Sequence, residues 1–423
     1  MALESISLAS GANYTFIPSD CFKTTYIAFS MLTPLGKNAA ANSLAIALMK
    51  SETSKYNSLY SLNRKLASLY GASAFSWTAK SGDLQEITIG MLVNDSRFSL
   101  DGENTVEQAA ELLNDMVLGR YFSKAPFDDA AIAREKRLLI EKIEGNLNDK
   151  RIYARNRCIE EMCENEPFGL SADGTVEEVM TLTSEDITSA LQNLIKTAFI
   201  SVMVIGSEEP DSFKALLLDS FKKIDRDFNG LPSQIESEAR PQIKTATDEM
   251  AVNQGKLVLG LRGKALSNYK TSIATRICID VFGGGPYSKL FTNVREKLSL
   301  CYYCRAIGVY KKGIILIDSG VENSNIDAAK TAILKEFENM KNGGFLAKDI
   351  EFSKLAMKDM IMSSLSDQLQ LARFYSERIF EGDIITPEDA ILLIDSVTDE
   401  DIIAATKNFN LDTVYTLIPK AEI

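Results

Sequence analysis

The chain has 423 residues, of which 45% are hydrophobic and 25% charged, as expected for a globular protein of two to four domains. Its formal net charge of −12 disfavours nucleic acid or an anionic membrane surface as a partner, because both require a basic face, whereas a basic peptide remains compatible. The sequence contains no histidine. Mechanisms that depend on a Ser–His pair, a Cys–His pair or zinc held by histidine are therefore excluded.

The cellular compartment is indicated by the N-terminal residues and the cysteines. The first residues, M-A-L-E-S-I, show neither a basic segment nor a long apolar run, so we expect no secretory signal. No stretch has the roughly 18 consecutive apolar residues of a membrane span. The six cysteines are scattered, and Cys301-Tyr-Tyr-Cys304 lacks the second Cys pair or histidine that a zinc site would need. We therefore expect a cytoplasmic protein with free thiols.

The first half of the chain alternates between strand and helix patterns. Alternating hydrophobicity predicts strands at residues 14–18, 25–32 and 199–205, and a hairpin of strands 73–78 and 86–93. Helical periodicity and helix-stop signals predict helices at residues 39–49, 60–69, 105–118, 128–144, 149–163, 184–194 and 211–224. Residues 227–249 lose this periodicity and carry two prolines, which predicts a linker, although such a stretch can also begin as a solvated strand.

The second half repeats the pattern of the first. Thr183-Ser-Glu-Asp-Ile and Thr398-Asp-Glu-Asp-Ile each predict a helix N-cap followed by a helix and a strand, and their matching order indicates a duplication. We predict an α+β fold of two homologous domains, each a mostly antiparallel β-sheet covered by helices. The predicted boundaries are residues 1–226 for the N-terminal domain, 227–249 for the linker and 250–423 for the C-terminal domain.

Residues 282–303 carry the most informative motif, F-G-G-G-P-Y-S-K-L-F-T-N-V-R-E-K-L-S-L-C-Y-Y. Three glycines precede a helical pattern with Leu290, Val294 and Leu298 on one side, followed by a strand pattern rich in aromatic residues. Arg295 and Tyr302 would then lie near one helix–strand corner. Taken alone, the segment favours a structural interpretation, in which a Gly-rich turn precedes a helix with a surface arginine and a strand with a tyrosine packed in the core.

The pattern G-G-x-x-x-S-x-L-F-x-x-V-R-E-K-x-x-L-x-Y resembles the second-domain motif of the M16 (pitrilysin/insulinase, mitochondrial processing peptidase) family of zinc peptidases. The resemblance implies two M16/LuxS-like domains. It also implies that Arg295 and Tyr302 grip the substrate backbone and help to stabilise the tetrahedral intermediate. Gly283, Gly284 and Gly285 would form part of the substrate-facing wall.

Active members of that family carry H-x-x-E-H on a helix of the first domain, where two histidines bind zinc and the glutamate acts as a base. Here the corresponding positions are Ser43, Ile46 and Ala47, or Asn42, Ala45 and Ile46 if the alignment shifts by one residue. The family's further glutamate ligand corresponds to Lys142, or to Glu141 after a one-residue shift, and Glu166 stands where the family often has histidine. No set of metal ligands remains.

The resemblance leaves three hypotheses. The first is that the chain is the non-catalytic, peptide-binding subunit of a heterodimeric zinc metallopeptidase, with an active M16 homologue as partner, or a homodimer in its place. Its own chain would hold no cofactor, and zinc is expected only on the partner. The second is a peptide-binding or scaffold protein with no hydrolytic role. The third is a self-sufficient peptidase that binds metal through carboxylates such as Glu135, Glu141 or Glu144. These glutamates also fit a solvated helix face, with Glu141 paired to Arg137.

Overall fold

The computed structural model describes residues 5–382 and 384–420, which form two compact units. Each unit is assembled from three separate parts of the chain. The first unit consists of the residues up to Glu144, Leu170–Ser233 and Ser364–Ile379. The second unit consists of Gly145–Gly169, Gln234–Ser363 and the chain from Phe380 onwards.

The first unit is built on a six-stranded mixed sheet. Its strands are β1 (Ser5–Ala9), β2 (Ala12–Pro18), β3 (Thr24–Pro34), β4 (Ser73–Ser81), β5 (Leu84–Asn94) and β6 (Phe199–Gly206). Their order across the sheet is β1-β2-β6-β3-β5-β4. All neighbouring pairs are antiparallel except β2 and β6, which run parallel.

The second unit repeats this topology with five strands. They are β7 (Lys244–Met250), β8 (Gly255–Arg262), β9 (Cys301–Val309), β10 (Ile314–Val321) and β11 (Asn410–Pro419), in the order β7-β11-β8-β10-β9. The parallel pair is β7 with β11, and the others are antiparallel. Omitting β1 makes the two orders match strand for strand, which agrees with the predicted duplication. The predicted linker therefore contains a strand, β7, at its end.

Helices pack around both sheets. Within the described residues the α-helices are α1 (Ala39–Met49), α2 (Leu59–Ser68), α3 (Thr105–Asn114), α4 (Arg120–Ser123), α5 (Asp129–Asn148), α6 (Lys150–Met162), α7 (Val176–Thr181), α8 (Ser184–Thr197), α9 (Asp211–Lys222), α10 (Tyr269–Gly283), α11 (Ile326–Lys341), α12 (Ala347–Ser364), α13 (Gln368–Glu381), α14 (Pro387–Ser396) and α15 (Asp399–Lys407). The segments Asp115–Gly119 and Leu290–Lys297 are π-helical. None of the helices in this described part is both long and apolar enough to cross a lipid bilayer.

Thr183 and Thr398 begin α8 and α15 with the same capping box, as the sequence predicts. Each threonine hydroxyl accepts a hydrogen bond from the backbone N–H of the aspartate three residues later, Asp186 or Asp401, at 3.2 and 3.3 Å. Each aspartate accepts one from the threonine N–H in return, at 2.8 and 2.9 Å. The reciprocal bonds satisfy donors that a helix start leaves without partners. Both capped helices precede the last strand of their sheet.

The helix α6 belongs to the second unit, although the sequence places it in the predicted N-terminal domain. Its buried face carries Ala154, Cys158 and Met162, which share a hydrophobic core with Val258 of β8 and Tyr415 of β11. Sequence periodicity identifies this apolar face but not the sheet that covers it. The structure buries the apolar face of α6 against the second sheet, so this helix belongs to the second unit.

The helix α13 shows the converse exchange, because it belongs to the first unit although it follows α12 in the second half. The side-chain amide of Gln368 donates to the carbonyl oxygens of Thr24 and Ile205 at 2.8 and 3.0 Å, and its oxygen accepts from the Thr24 hydroxyl at 2.7 Å. These bonds fix the start of α13 at the ends of β3 and β6. The compact units thus differ from the predicted domains by one exchanged segment each.

Candidate functional site

The positions that correspond to the lost metal motif lie on α1 and α5 of the first unit. Ser43 is buried on α1, and its hydroxyl donates to the carbonyl oxygen of Ala172 at 3.0 Å. Lys142 on α5 places Nζ 2.8 and 2.7 Å from the two carboxylate oxygens of Asp173. The structure therefore brings Ser43 and Lys142 to the same short loop. They supply a hydroxyl and an ammonium group, and an ammonium group has no lone pair for a metal.

Further hydrogen bonds engage polar side chains of α1, although Oδ1 of Asn42 is buried without a partner among the described residues. Gln85 of β5 is fully buried, and its amide nitrogen donates to the carbonyl oxygens of Ala172 and Ala39 at 2.6 and 3.0 Å. Its amide oxygen accepts from Asn42, one of the shifted motif positions, at 2.8 Å. A buried network of this kind is stable only when its members are paired. The network holds α1 to β5 by protein hydrogen bonds.

The other motif positions have no polar side chain. Ala45 and Ile46 lie in the hydrophobic core of the first unit, and Ala47 is partly buried. On α5, Glu141 pairs with Arg137 at 2.9 Å on an exposed face, as predicted. Within residues 5–382 and 384–420, no three Asp, Glu or Cys side chains are grouped so that they could hold a metal ion.

The predicted glycines connect α10 to the π-helix Leu290–Lys297. A Cβ atom on Gly283 would lie 2.5 Å from the backbone nitrogen of Ala306, so only glycine lets α10 pack this closely against β9. Gly283 is buried, whereas Gly284 is exposed and Gly285 is partly exposed. Gly283 thus has a packing role, and its two neighbours reach the surface.

Arg295 and Tyr302 line one cavity of about 330 Å³. The guanidinium carbon of Arg295 lies 4.5 Å from the centre of the Phe291 ring, an arrangement that orients the side chain by a cation–π contact. Tyr302 is 57% exposed, and its hydroxyl donates to Glu322 at 3.1 Å. This bond to a carboxylate raises the pKa of Tyr302. Arg295 thus offers guanidinium donors to this space, and the Tyr302 hydroxyl offers acceptor lone pairs.

The helix that carries Arg295 is a π-helix, which the sequence did not predict. Leu290 and Val294 are buried as expected, but Leu298 is 56% exposed. The expectation for Leu298 was wrong because the wider turn, with the Leu298 N–H donating to the Asn293 carbonyl at 3.2 Å, ends the helix before Leu298 can face the core. Single π-helical turns occur frequently at functional sites.

Two more irregularities separate Arg295 from Tyr302. Ser299 has a φ of 51°, in the left-handed region that non-glycine residues rarely adopt. A β-bulge follows, since Cys301 pairs with Val321 while Tyr303 pairs with the adjacent Gly320, so that Tyr302 is the extra residue. Strained backbone persists only where the surroundings impose it, and it is concentrated at ligand sites. The backbone thus gives a physical reason to regard this corner as a site.

The bulge also turns Cys301 and Cys304 to the same face of β9. Cys301 lines the cavity, and its pKa is lowered by the neighbouring Cys304 thiol and by the positive charge of Arg295, whereas that of Cys304 is raised. The sequence analysis missed Cys301 and Glu322 as site residues. Neither could be found without the register of β9 and β10, because that register brings residues 20 positions apart into contact.

Comparison with known proteins shows which family the chain resembles. Residues 181–357 match the family described as Peptidase M16 inactive domain. The chain is also 29% identical over 408 residues to YmfF of Bacillus subtilis strain 168, named a probable inactive metalloprotease, with 96% of each chain covered. These matches show that the chain is similar to inactive members of the M16 peptidase family.

Solved structures agree with this resemblance at the level of the fold. A conserved protein from Enterococcus faecalis V583 has a TM-score of 0.88 at 24% identity, over 100% of this chain and 99% of that one. A peptidase M16 inactive domain from Pseudomonas fluorescens has a TM-score of 0.81 at 16% identity, with 100% and 99% coverage. The chain thus has the two-domain fold of these structures and lacks the H-x-x-E-H motif of active M16 peptidases.

Proposed function

We propose that this chain binds extended peptides at the Arg295–Tyr302 corner and does not hydrolyse them by itself. The observation that supports the proposal is the contrast between its two candidate sites. At the metal position, Lys142 is paired with Asp173, and its ammonium group cannot activate water. At the corner, Arg295 and Tyr302 line a cavity, where the guanidinium can donate to a peptide and the phenol oxygen can accept from it.

The neighbouring strand offers a means of binding. β9 lies at the end of its sheet, and within the described chain it pairs with β10. An extended peptide can add to such an edge through backbone hydrogen bonds. Tyr302 stands in the bulge on this edge, and Arg295 stands just before it in the chain. The Arg295 guanidinium would donate hydrogen bonds to peptide carbonyl oxygens. The Tyr302 hydroxyl, whose single proton is donated to Glu322, would accept a hydrogen bond from a peptide N–H.

We further propose that the chain is the non-catalytic subunit of a heterodimeric zinc metallopeptidase in the cytoplasm. A homologous M16 partner would hold the zinc ion, while Arg295 and Tyr302 would contact the same substrate. Donors fixed near a carbonyl that becomes negatively charged lower the barrier, because they stabilise the transition state more than the ground state. A homodimer would retain peptide binding without hydrolysis.

A non-hydrolytic scaffold is the second candidate function. The buried network of Gln85, Asn42 and Ser43 favours it, since protein hydrogen bonds tie α1 to β5 where active family members hold zinc. A scaffold should keep its partner and its role when Arg295 and Tyr302 are both replaced. A subunit that contributes to catalysis should keep the partner but lose activity.

The test combines complex formation with activity. The chain is mixed with a histidine-bearing M16 homologue from the same genome, and the mixture is analysed by size-exclusion chromatography and by cleavage of a peptide library. We expect a mixed complex whose activity falls at least about tenfold when Arg295→Gln and Tyr302→Phe are combined. Arg137→Gln, which removes an exposed arginine on α5, is the matched control. Absence of both a complex and a gain in activity would refute the subunit proposal.

A further inference from the structure

Four basic side chains of the second unit surround one carboxylate. We call Arg151, Arg155, Lys256 and Arg305 the basic cluster. Asp318 is completely buried on β10, and its Oδ2 atom lies 2.7 Å from Arg151 Nε, 3.6 Å from Arg305 Nε and 3.9 Å from Arg155 Nε. Three guanidinium groups therefore converge on a single carboxylate oxygen.

The cluster carries more positive charge than its surroundings neutralise. Lys256 donates to the side-chain oxygen of Gln254 at 2.7 Å, and Asp149 adds one exposed negative charge nearby. Nε of Arg155 is buried, and among the described residues it has no hydrogen-bond partner. A buried donor without a partner is costly, so a ligand that supplies an acceptor gains binding energy there.

The positive charges of the basic cluster also repel one another. Burial lowers the pKa of Arg305, and the positive charges of Arg151 and Arg155 lower it further. The side chains of Arg305, Arg151 and Arg155 are 44%, 34% and 24% exposed, respectively, so each of them can reach solvent. An anion that enters from solvent would reduce this repulsion.

The basic cluster lies beside the proposed peptide site. Arg305 is on β9, three residues after Tyr302, so their Cα atoms are separated by about 10 Å at the usual strand rise. Between them, the ring centre of Tyr303 lies 4.2 Å from the guanidinium carbon of Arg151 and 5.7 Å from Lys256 Nζ. A peptide of four or five residues along β9 would span both features.

We propose that the basic cluster selects peptides that carry an acidic side chain, which would pair with Arg305 and Arg155. This inference rests on the proposed binding of peptides at β9. Arginine recognises carboxylates through charge-assisted hydrogen bonds that are stronger than neutral ones. The net charge of −12 is compatible with a basic peptide, but contact is governed by local charge, and this part of the surface is positive.

The test measures discrimination between two labelled ten-residue peptides by fluorescence anisotropy. Both are acetylated and amidated at their ends, and they differ only in having two glutamates or two glutamines. We expect the glutamate peptide to bind about tenfold more tightly to the natural protein, as one charge-assisted hydrogen bond would provide. Arg305→Gln should remove most of this preference. Lys256→Gln, which removes a positive charge of the cluster and leaves the three arginine pairs with Asp318 in place, should also weaken the preference.

The control is Arg137→Gln, which removes the same charge from the exposed face of α5 and should leave the preference unchanged. Equal affinity for the two peptides, with both weakened by Arg295→Gln, would overturn this inference and leave the proposed function standing. An equal loss in Arg305→Gln and Arg137→Gln would also overturn it, because only long-range charge would then be involved. If neither peptide binds, the proposed function itself is refuted.

Discussion

The ion cluster around Glu166 is expected to hold the end of α6 in the second unit. Glu166 is buried four residues after α6, with its carboxylate oxygens 2.9 Å from Arg262 Nη2 and 2.7 Å from Lys312 Nζ. Both cations are almost completely buried, and a second carboxylate, that of Asp412, lies 3.9 Å from Arg262. Glu166→Gln preserves the size of the side chain but leaves two buried cations with one carboxylate.

Removal of one partner from a buried ion pair costs about 3–5 kcal/mol of unfolding free energy. Since Asp412 still compensates part of the charge, we expect the lower end, about 3 kcal/mol. A unit of roughly 200 residues loses 2–4 °C in its unfolding midpoint for each kcal/mol, so the midpoint should fall by about 6–12 °C. Urea unfolding followed by circular dichroism, with scanning calorimetry, measures both quantities.

The control is Glu164→Gln, two residues earlier. Glu164 also pairs with two cations, Arg240 and Lys244, but its side chain is 49% exposed, so water replaces the lost contacts and the shift should be much smaller. Equal shifts for the two variants would show that burial of the Glu166 cluster does not stabilise the unit.

The difference in unfolding free energy between the natural protein and Glu166→Gln should depend on pH, and its direction follows from the pKa of Glu166. Burial alone would raise the pKa of Glu166, but the hydrogen bond from Lys312 and the charge of Arg262 outweigh it and lower the pKa. The stabilisation is then fully present above the unfolded glutamate pKa of about 4.3 and is lost as the pH falls below it. The difference between natural protein and Glu166→Gln should therefore shrink at acidic pH. A constant difference would contradict this assignment.

Three further predictions concern the candidate sites. Lys142→Met leaves the Asp173 carboxylate without its ammonium partner and should cost about 1 kcal/mol in urea unfolding, since the lysine is half exposed. Arg295→Gln should slow alkylation of Cys301 at neutral pH, because the positive charge of Arg295 helps to lower the pKa of that thiol. The rate is measured by peptide mass spectrometry. Cys278, whose pKa burial raises to about 11, is the unreactive reference. Protein purified without a tag and incubated with zinc should contain no stoichiometric zinc by mass spectrometry, and bound zinc would refute the assignment of the metal position.

The repeated architecture could be predicted from local sequence signals. The threonine–aspartate caps at Thr183 and Thr398 and the alternating strand patterns are decided within a few residues, so they identify two similar α+β halves. The family motif likewise located Arg295 and Tyr302 at a helix–strand corner, where the structure brings both to one cavity.

Features that depend on distant pairing could not be predicted. Arg151 and Asp318 are 167 residues apart in sequence, so no local pattern connects them. The apolar face of α6 is evident from Cys158 and Met162, but either sheet could have covered it. The π-helix escaped prediction because Leu290, Val294 and Leu298 fit an ordinary helix equally well.

The exchange of α6 and α13 has a consequence for synthesis on the ribosome. The first unit needs α13, and the 130 residues of Gln234–Ser363 must be translated before that helix emerges. At about 5–20 residues per second this delay lasts roughly 7–25 s. During that time the carbonyl groups of Thr24 and Ile205 lack the Gln368 amide, and α6 exposes its apolar face to water until β8 and β11 are made. Neither half of the gene should therefore yield a stable product alone.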